Sequence, residues 1–171
     1  MRLRTAGIAA VVAGVAAVAW YLGSPLFIRT TVNEALPTTA PQSAAPSRSA
    51  ATVAATPAGP TTLATGELGY VDAIHNGKGT VLLVRTGDAV VLRFDNVAIT
   101  NAPDVHVYLS RESGGKWSEA TSLYVGPLKA TNGSFNYPIP LTGADADLSL
   151  YKSVVVWCRQ FSVLVSWADL R

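Results

Sequence analysis

One cysteine in 171 residues, Cys158, rules out a disulfide within the chain. Its thiol is therefore either an inert core residue or a reactive one. Methionine is as scarce: Met1 stands alone. Any domain downstream of it then lacks both the axial methionine common in blue-copper sites and a His-Met haem pair. His75 and His106 are the only histidines, no Cys-x-His spacing follows Cys158, and there is no C-x-x-C-H for covalent haem. A bis-histidine or cysteine-ligated haem is the arrangement these donors leave open. No cofactor is predicted, and copper and haem are both disfavoured.

Charge is equally thin, at 14% of residues, and it is unevenly placed. Arg2, Arg4, Arg29 and Arg48 lie in the first 50 residues. From residue 66 onward nine Lys or Arg face ten Asp or Glu, which is no footprint for nucleic acid. No G-x-S-x-G elbow and no serine at a diagnostic spacing from either histidine supports hydrolysis. Asp72, Asp95, Asp104, Asp145 and Asp147 do not form a D-x-D-x-D-G loop with a closing Glu, so no metal site is expected.

What is present begins with 23 uncharged residues, AGIAAVVAGVAAVAWYLGSPLFI (6–28), long enough to cross a bilayer as a helix. Arg2 and Arg4 before it favour a cytoplasmic N-terminus, with the remainder outside the cell membrane on a single-pass signal-anchor. The alternative is a cleaved secretory signal ending at Ala17-Val18-Ala19, although Trp20 to Ile28 continues the apolar run where a signal peptide turns polar. Either way the rest is exported. Residues 30–62, dominated by Ala, Pro, Thr and Ser, have too few aromatic and branched side chains to build a core and are expected to be an extended, disordered linker.

From Leu63 short apolar runs alternate with turn signals: HNGKG, TGD, ESGGK, TNG and TGAD. Strands are expected near 67–74, 79–85, 88–95, 104–110, 121–125, 134–139, 153–159 and 161–167. Eight short strands without a convincing helix, over residues 63–171, indicate an all-β fold, an antiparallel β-sandwich or flattened barrel. A turn near 147–151, capped by Asp147, is the one helical candidate. In DVHVYLS, Val105, Val107 and Leu109 point one way and Asp104, His106, Tyr108 and Ser110 the other, the pattern of a sheet with one wet face. SVVVWC is apolar on both faces, as a covered central strand would be. There Cys158 shares a face with Val154 and Val156, while Val155, Trp157 and Arg159 face away.

The segments GELGYVDAIHNGKGTVLLV, VVLRFDNVAITNAPDVHVYLS, YVGPLKATNGSFNYPIP and DLSLYKSVVVWCRQFSVLVSWADL, in that order, resemble the DM-thirteen domain, named an electron-transfer domain and found beside DOMON domains in Skeletor. Gly126-Pro127-Leu128-Lys129, Asn136-Tyr137-x-Ile139-Pro140 and Tyr151-x-Ser153-Val154-Val155-x-Trp157-Cys158 are its most specific pieces. The flanks SPLFI and TVNEALP are similar to membrane-anchored bacterial members. Ala102, Gln160 and Ser166-Trp167-Ala168 depart from the pattern, which bears on loop geometry. The resemblance implies an exported β-sandwich with a redox-active cysteine.

Two functions follow. The first is a non-enzymatic, membrane-tethered binding or accessory module in the cell envelope, with Cys158 as its redox candidate and an envelope protein or redox partner still to be named. The second is an electron-transfer protein with bound metal or haem. His75 in a turn, His106 on a strand, and the turn-adjacent aromatics Trp117 and Phe135 are candidate ligands or partner contacts.

Overall fold

The computed structural model describes residues 2–24, 29–37, 59–140 and 147–171. A 22-residue helix, α1 (Arg2–Gly23), leads the chain. Its apolar side chains Val11, Val12, Val15, Val18 and Trp20 are exposed. The α1 side chains at 2–6, 8, 9 and 22 lie outside the described residues, and among the described residues no helix is long and apolar enough to cross a membrane.

Among the described residues nine strands follow: β1 (Thr31–Asn33), β2 (Thr61–Glu67), β3 (Gly77–Thr86), β4 (Ala89–Ile99), β5 (Val105–Ser110), β6 (Leu123–Pro127), β7 (Asn132–Ile139), β8 (Ser153–Cys158) and β9 (Val163–Asp169). They form a five-stranded sheet in the order β1-β7-β4-β3-β2 and a four-stranded sheet in the order β6-β5-β8-β9. All pairings are antiparallel except β1 with β7.

The two sheets face each other across one apolar layer. Val81, Leu83, Leu92, Phe94 and Phe135 contribute from the first sheet, and Val107, Leu109, Val154, Val156 and Val165 from the second. This is the expected sandwich, and inward alternation produces it. Phe94 stacks on Phe135 with centroids 5.1 Å apart. Reciprocal backbone bonds between Thr65 and Arg171, each 3.0 Å, tie β2 to the chain just after β9 and close one side. Gly66 is required there because a Cβ would run into the Asp169 carbonyl.

Two expectations shift. The strand expected at 67–74 lies at 61–67 instead. Past Glu67 the pairing thins to single contacts, Leu68 N with the Gly79 carbonyl at 2.9 Å and a Tyr70–Asn76 bridge. Asp72 Oδ1, accepting the backbone N–H groups of Ile74 (2.7 Å) and His75 (2.6 Å), forms the turn that leads back into β3. Residues 31–37, expected as linker, carry β1 and dock on β7. Arg93 donates to the Glu34 carbonyl at 3.1 Å, Asn136 Nδ2 to the Ala35 carbonyl at 2.8 Å, and Lys129 Nζ pairs with Glu34 at 3.0 Å. The Gly126–Lys129 and Asn136–Pro140 motifs thus meet at the site that receives this segment. The helical turn at Leu148–Leu150 is present, with the Asp147 carboxylate accepting from Ser149 N at 3.0 Å. The TGAD turn and Asp145 lie outside the described residues.

Candidate functional site

Cys158 ends β8 with its side chain turned inward beside Val154 and Val156. No part of it reaches solvent. Its Sγ donates to the Pro103 carbonyl at 2.8 Å. A thiol so enclosed cannot meet an oxidant or a partner thiol without opening the sandwich. Pro103 also lines a cavity of about 140 Å³ with Ile74, His75, Thr100, Ala102 and Phe161. His75 is tied within its own turn, Nδ1 lying 2.8 Å from Asp72 Oδ2. The hydrogen bond from that ring, then those from the backbone of His75 and Ile74, holds the Asp72 carboxyl below its ordinary range.

The opposite face of the second sheet is where polar and aromatic chemistry converges. His106 and Tyr108 alternate outward from β5, where every residue is buried. The wet face expected for this strand is covered, because aromatics from neighbouring segments close over it. Tyr124 comes from β6, directly across from Tyr108. Trp157 comes from β8, across from His106. Trp117 comes from the loop before β6, which Ser110 Oγ fastens by donating to the Lys116 carbonyl at 3.2 Å. Ring centroids lie 4.6 Å apart for Tyr108–Trp117, 4.8 Å for Trp117–Trp157 and 5.3 Å for Tyr108–Tyr124.

Arg159 crowns this cluster from the turn after β8, on the face opposite Cys158. Its Nε donates to the Tyr108 hydroxyl at 2.7 Å, and its guanidinium carbon lies 4.7 Å from the Tyr124 centroid and 5.6 Å from that of Tyr108. Glu119 approaches it at 3.9 Å. Burial raises the Tyr108 phenol above its ordinary value, partly opposed by the Arg159 hydrogen bond. His106 lies between two partners, with Nδ1 2.9 Å from the Tyr124 hydroxyl and Nε2 2.7 Å from Asp104 Oδ1. Tyr124 is 44% exposed.

The cluster therefore brings Trp117 and His106 together with four residues the sequence had not marked as a site, Tyr108, Tyr124, Trp157 and Arg159. The available signal was two outward stripes, His106/Tyr108 and Trp157/Arg159, on strands that turn out to be neighbours. His75 stands apart, in the turn at 72–75. Phe135 is wholly buried against Phe94 and is no surface contact. Among the described residues no group of three or more His, Cys, Asp or Glu side chains converges to hold a metal. Cys158 Sγ is enclosed and both ring nitrogens of His106 face partners, so in this arrangement neither of these two donors is open to a copper or haem iron.

A family model described as Electron transfer DM13 matches residues 70–170. No curated protein and no solved structure matches the chain.

Proposed function

The chain belongs to the Electron transfer DM13 family, and on that premise we propose a non-enzymatic accessory module of electron transfer, tethered at the outer face of a membrane, whose working surface is the Tyr124–Arg159 aromatic cluster. Cys158 is a structural thiol in this reading. The observation that carries it is ring contact: three successive aromatic pairs at 4.6 to 5.3 Å lead from half-buried Trp157 to exposed Tyr124.

Indole and phenol rings lose single electrons more readily than any side chain except a thiol. Rings near van der Waals contact pass that electron hole with little loss in coupling. A one-electron-accepting metal or haem centre of a partner protein draws the electron from Tyr124, and a hole formed deeper in the cluster, on Trp117 or Trp157, moves outward to the same ring. The Tyr124 edge supplies contact area, and Arg159 supplies a charge that suits an acidic rim.

The tether rests on the uncharged run 6–28, the exposed apolar side chains of α1, and Arg2 and Arg4 on the side assigned to the cytoplasm. β1 makes it short. Only residues 24–30 separate α1 from the sheet, a span of at most about 25 Å.

Pulse radiolysis tests the relay. Azide radicals oxidise tryptophan in the detergent-solubilised full chain, and the indolyl signal is expected to decay into a tyrosyl signal in a first-order, concentration-independent step. Trp117→Phe should slow that step and Tyr124→Phe should change its end product. A decay that depends on protein concentration, or that neither substitution alters, would overturn the assignment.

A further inference from the structure

Tyr124 has a polar partner that ring contact does not use. Its hydroxyl faces His106 Nδ1 at 2.9 Å, and the far side of that imidazole faces Asp104 at 2.7 Å. An ionised carboxylate only accepts hydrogen bonds, so the proton on Nε2 points at Asp104. In the neutral ring Nδ1 then keeps its lone pair, and the phenol donates to it. His106 is 8% exposed while Tyr124 is 44% exposed. The base is sheltered and the phenol is within reach of a partner.

The backbone holds this line in place. Tyr124 and Tyr108 are register partners on adjacent strands, which sets the phenol beside the outward side chains of β5. Asp104 sits in left-handed backbone with φ of 58°, and its carbonyl accepts from Arg159 N at 3.0 Å. Arg159 imposes a second condition. Its guanidinium, 4.7 Å from the Tyr124 centroid, disfavours positive charge on that ring. Electron loss that left the phenol protonated would place a cation under a cation.

We propose that Tyr124, His106 and Asp104 form a proton-coupled oxidation site. Tyr124 gives one electron to a one-electron-accepting metal or haem centre of a partner protein, its O–H bond breaks, and the proton passes to His106 Nδ1. The products are a neutral tyrosyl radical and an imidazolium paired with the Asp104 carboxylate. When a one-electron donor of the same class reduces the radical, the proton returns to the phenol oxygen. The use of the site rests on the electron-transfer reading above, whereas its chemistry is independent of the tryptophan relay.

The groups facing the imidazole are Asp104 from the turn before β5 and Tyr124 from β6, with Arg159 and Glu119 beyond the phenol ring.

The test is flash photolysis of the full chain in detergent with photogenerated ruthenium(III) tris-bipyridine, reading tyrosyl absorbance and electron paramagnetic resonance. Tyr21 and Tyr70 are more exposed than Tyr124, so the measurement is made in a Tyr21→Phe/Tyr70→Phe background; the oxidant takes electrons from phenols directly, and a failed tryptophan relay does not affect the result. A tyrosyl signal is expected that is lost in Tyr124→Phe and slower in deuterium oxide. In His106→Gln the formation rate should fall about 100-fold, the size of a positioned general base, with an altered isotope effect. Asp104→Asn, which tolerates the left-handed backbone, should give an intermediate rate. It supplies the decisive comparison if His106→Gln does not fold. Wild-type rate and isotope effect in a folded variant, or a tyrosyl signal that survives Tyr124→Phe unchanged, would overturn the proposal.

Discussion

The Cys158 thiol donates to the Pro103 carbonyl at 2.8 Å from a position with no solvent contact. That bond gives a buried polar atom its partner and seals the one sulfur of the domain behind the loop that walls the small cavity. Chemical access to this thiol is therefore a measure of opening of the sandwich.

Modification of Cys158 by a small thiol reagent should follow unfolding. In the full chain, labelling is expected to be slow without denaturant and to rise along the same transition as circular dichroism. Cys158→Ala removes the donor to Pro103 and leaves a small void, at a cost of about 1–2 kcal/mol in denaturant titration. Rapid, complete labelling of the native protein would show that the sulfur is reachable.

Tyr137 is a buried phenol that serves two backbone groups, donating to the Pro127 carbonyl at 2.9 Å and accepting from Lys129 N at 2.8 Å. Burial pushes its pKa well above the ordinary value. Tyr137→Phe keeps the ring against Phe94 but orphans both backbone groups, a loss of about 1–3 kcal/mol. Chemical denaturation should show a lower midpoint with an unchanged slope.

The Glu34 carboxyl lies below its ordinary value of 4.5, first through the Asn136 N–H (2.8 Å) and then through Lys129. A group with a lowered folded pKa stabilises fully above its unfolded pKa and loses that stabilisation as pH falls through the folded value. Docking of 31–37 should thus weaken below about pH 4.5. Because the pair is partly exposed, the increment is about 1 kcal/mol or less. Amide exchange in β1 should rise in acid for the wild type, and Glu34→Gln should exchange faster already at neutral pH, with that acid step gone.

β1 and β2 occupy opposite edges of one sheet, so the 27 residues between them are a connection within the domain. Four strand spacings amount to about 19 Å, which a much shorter chain can span. Deleting residues 40–50 should leave the melting temperature within a few degrees of wild type, because loop-closure entropy changes by less than about 1 kcal/mol. A large loss of stability would mean that this segment contributes packing of its own.

Much of the fold was legible in the sequence because inward alternation records which face meets the core. It put Val105, Val107 and Leu109 inside, set Cys158 beside Val154 and Val156, and separated Arg159 from the thiol. β1 was not legible. Three residues, TVN, carry no periodicity, and their pairing with Asn132–Ser134 depends on contacts about 101 positions away.

The sequence by itself determined the strand alternation, the absence of a metal-ligand motif and the likeness to the electron-transfer family, since each is written in residue type and spacing. Only the tertiary structure decided that His106 and Tyr108 lie covered, that Tyr124, His106 and Asp104 share a hydrogen-bonded line, and that the Cys158 sulfur is enclosed. Those outcomes depend on which strands become neighbours and which loops close over them, and burial and hydrogen bonding exist only once distant segments are in contact.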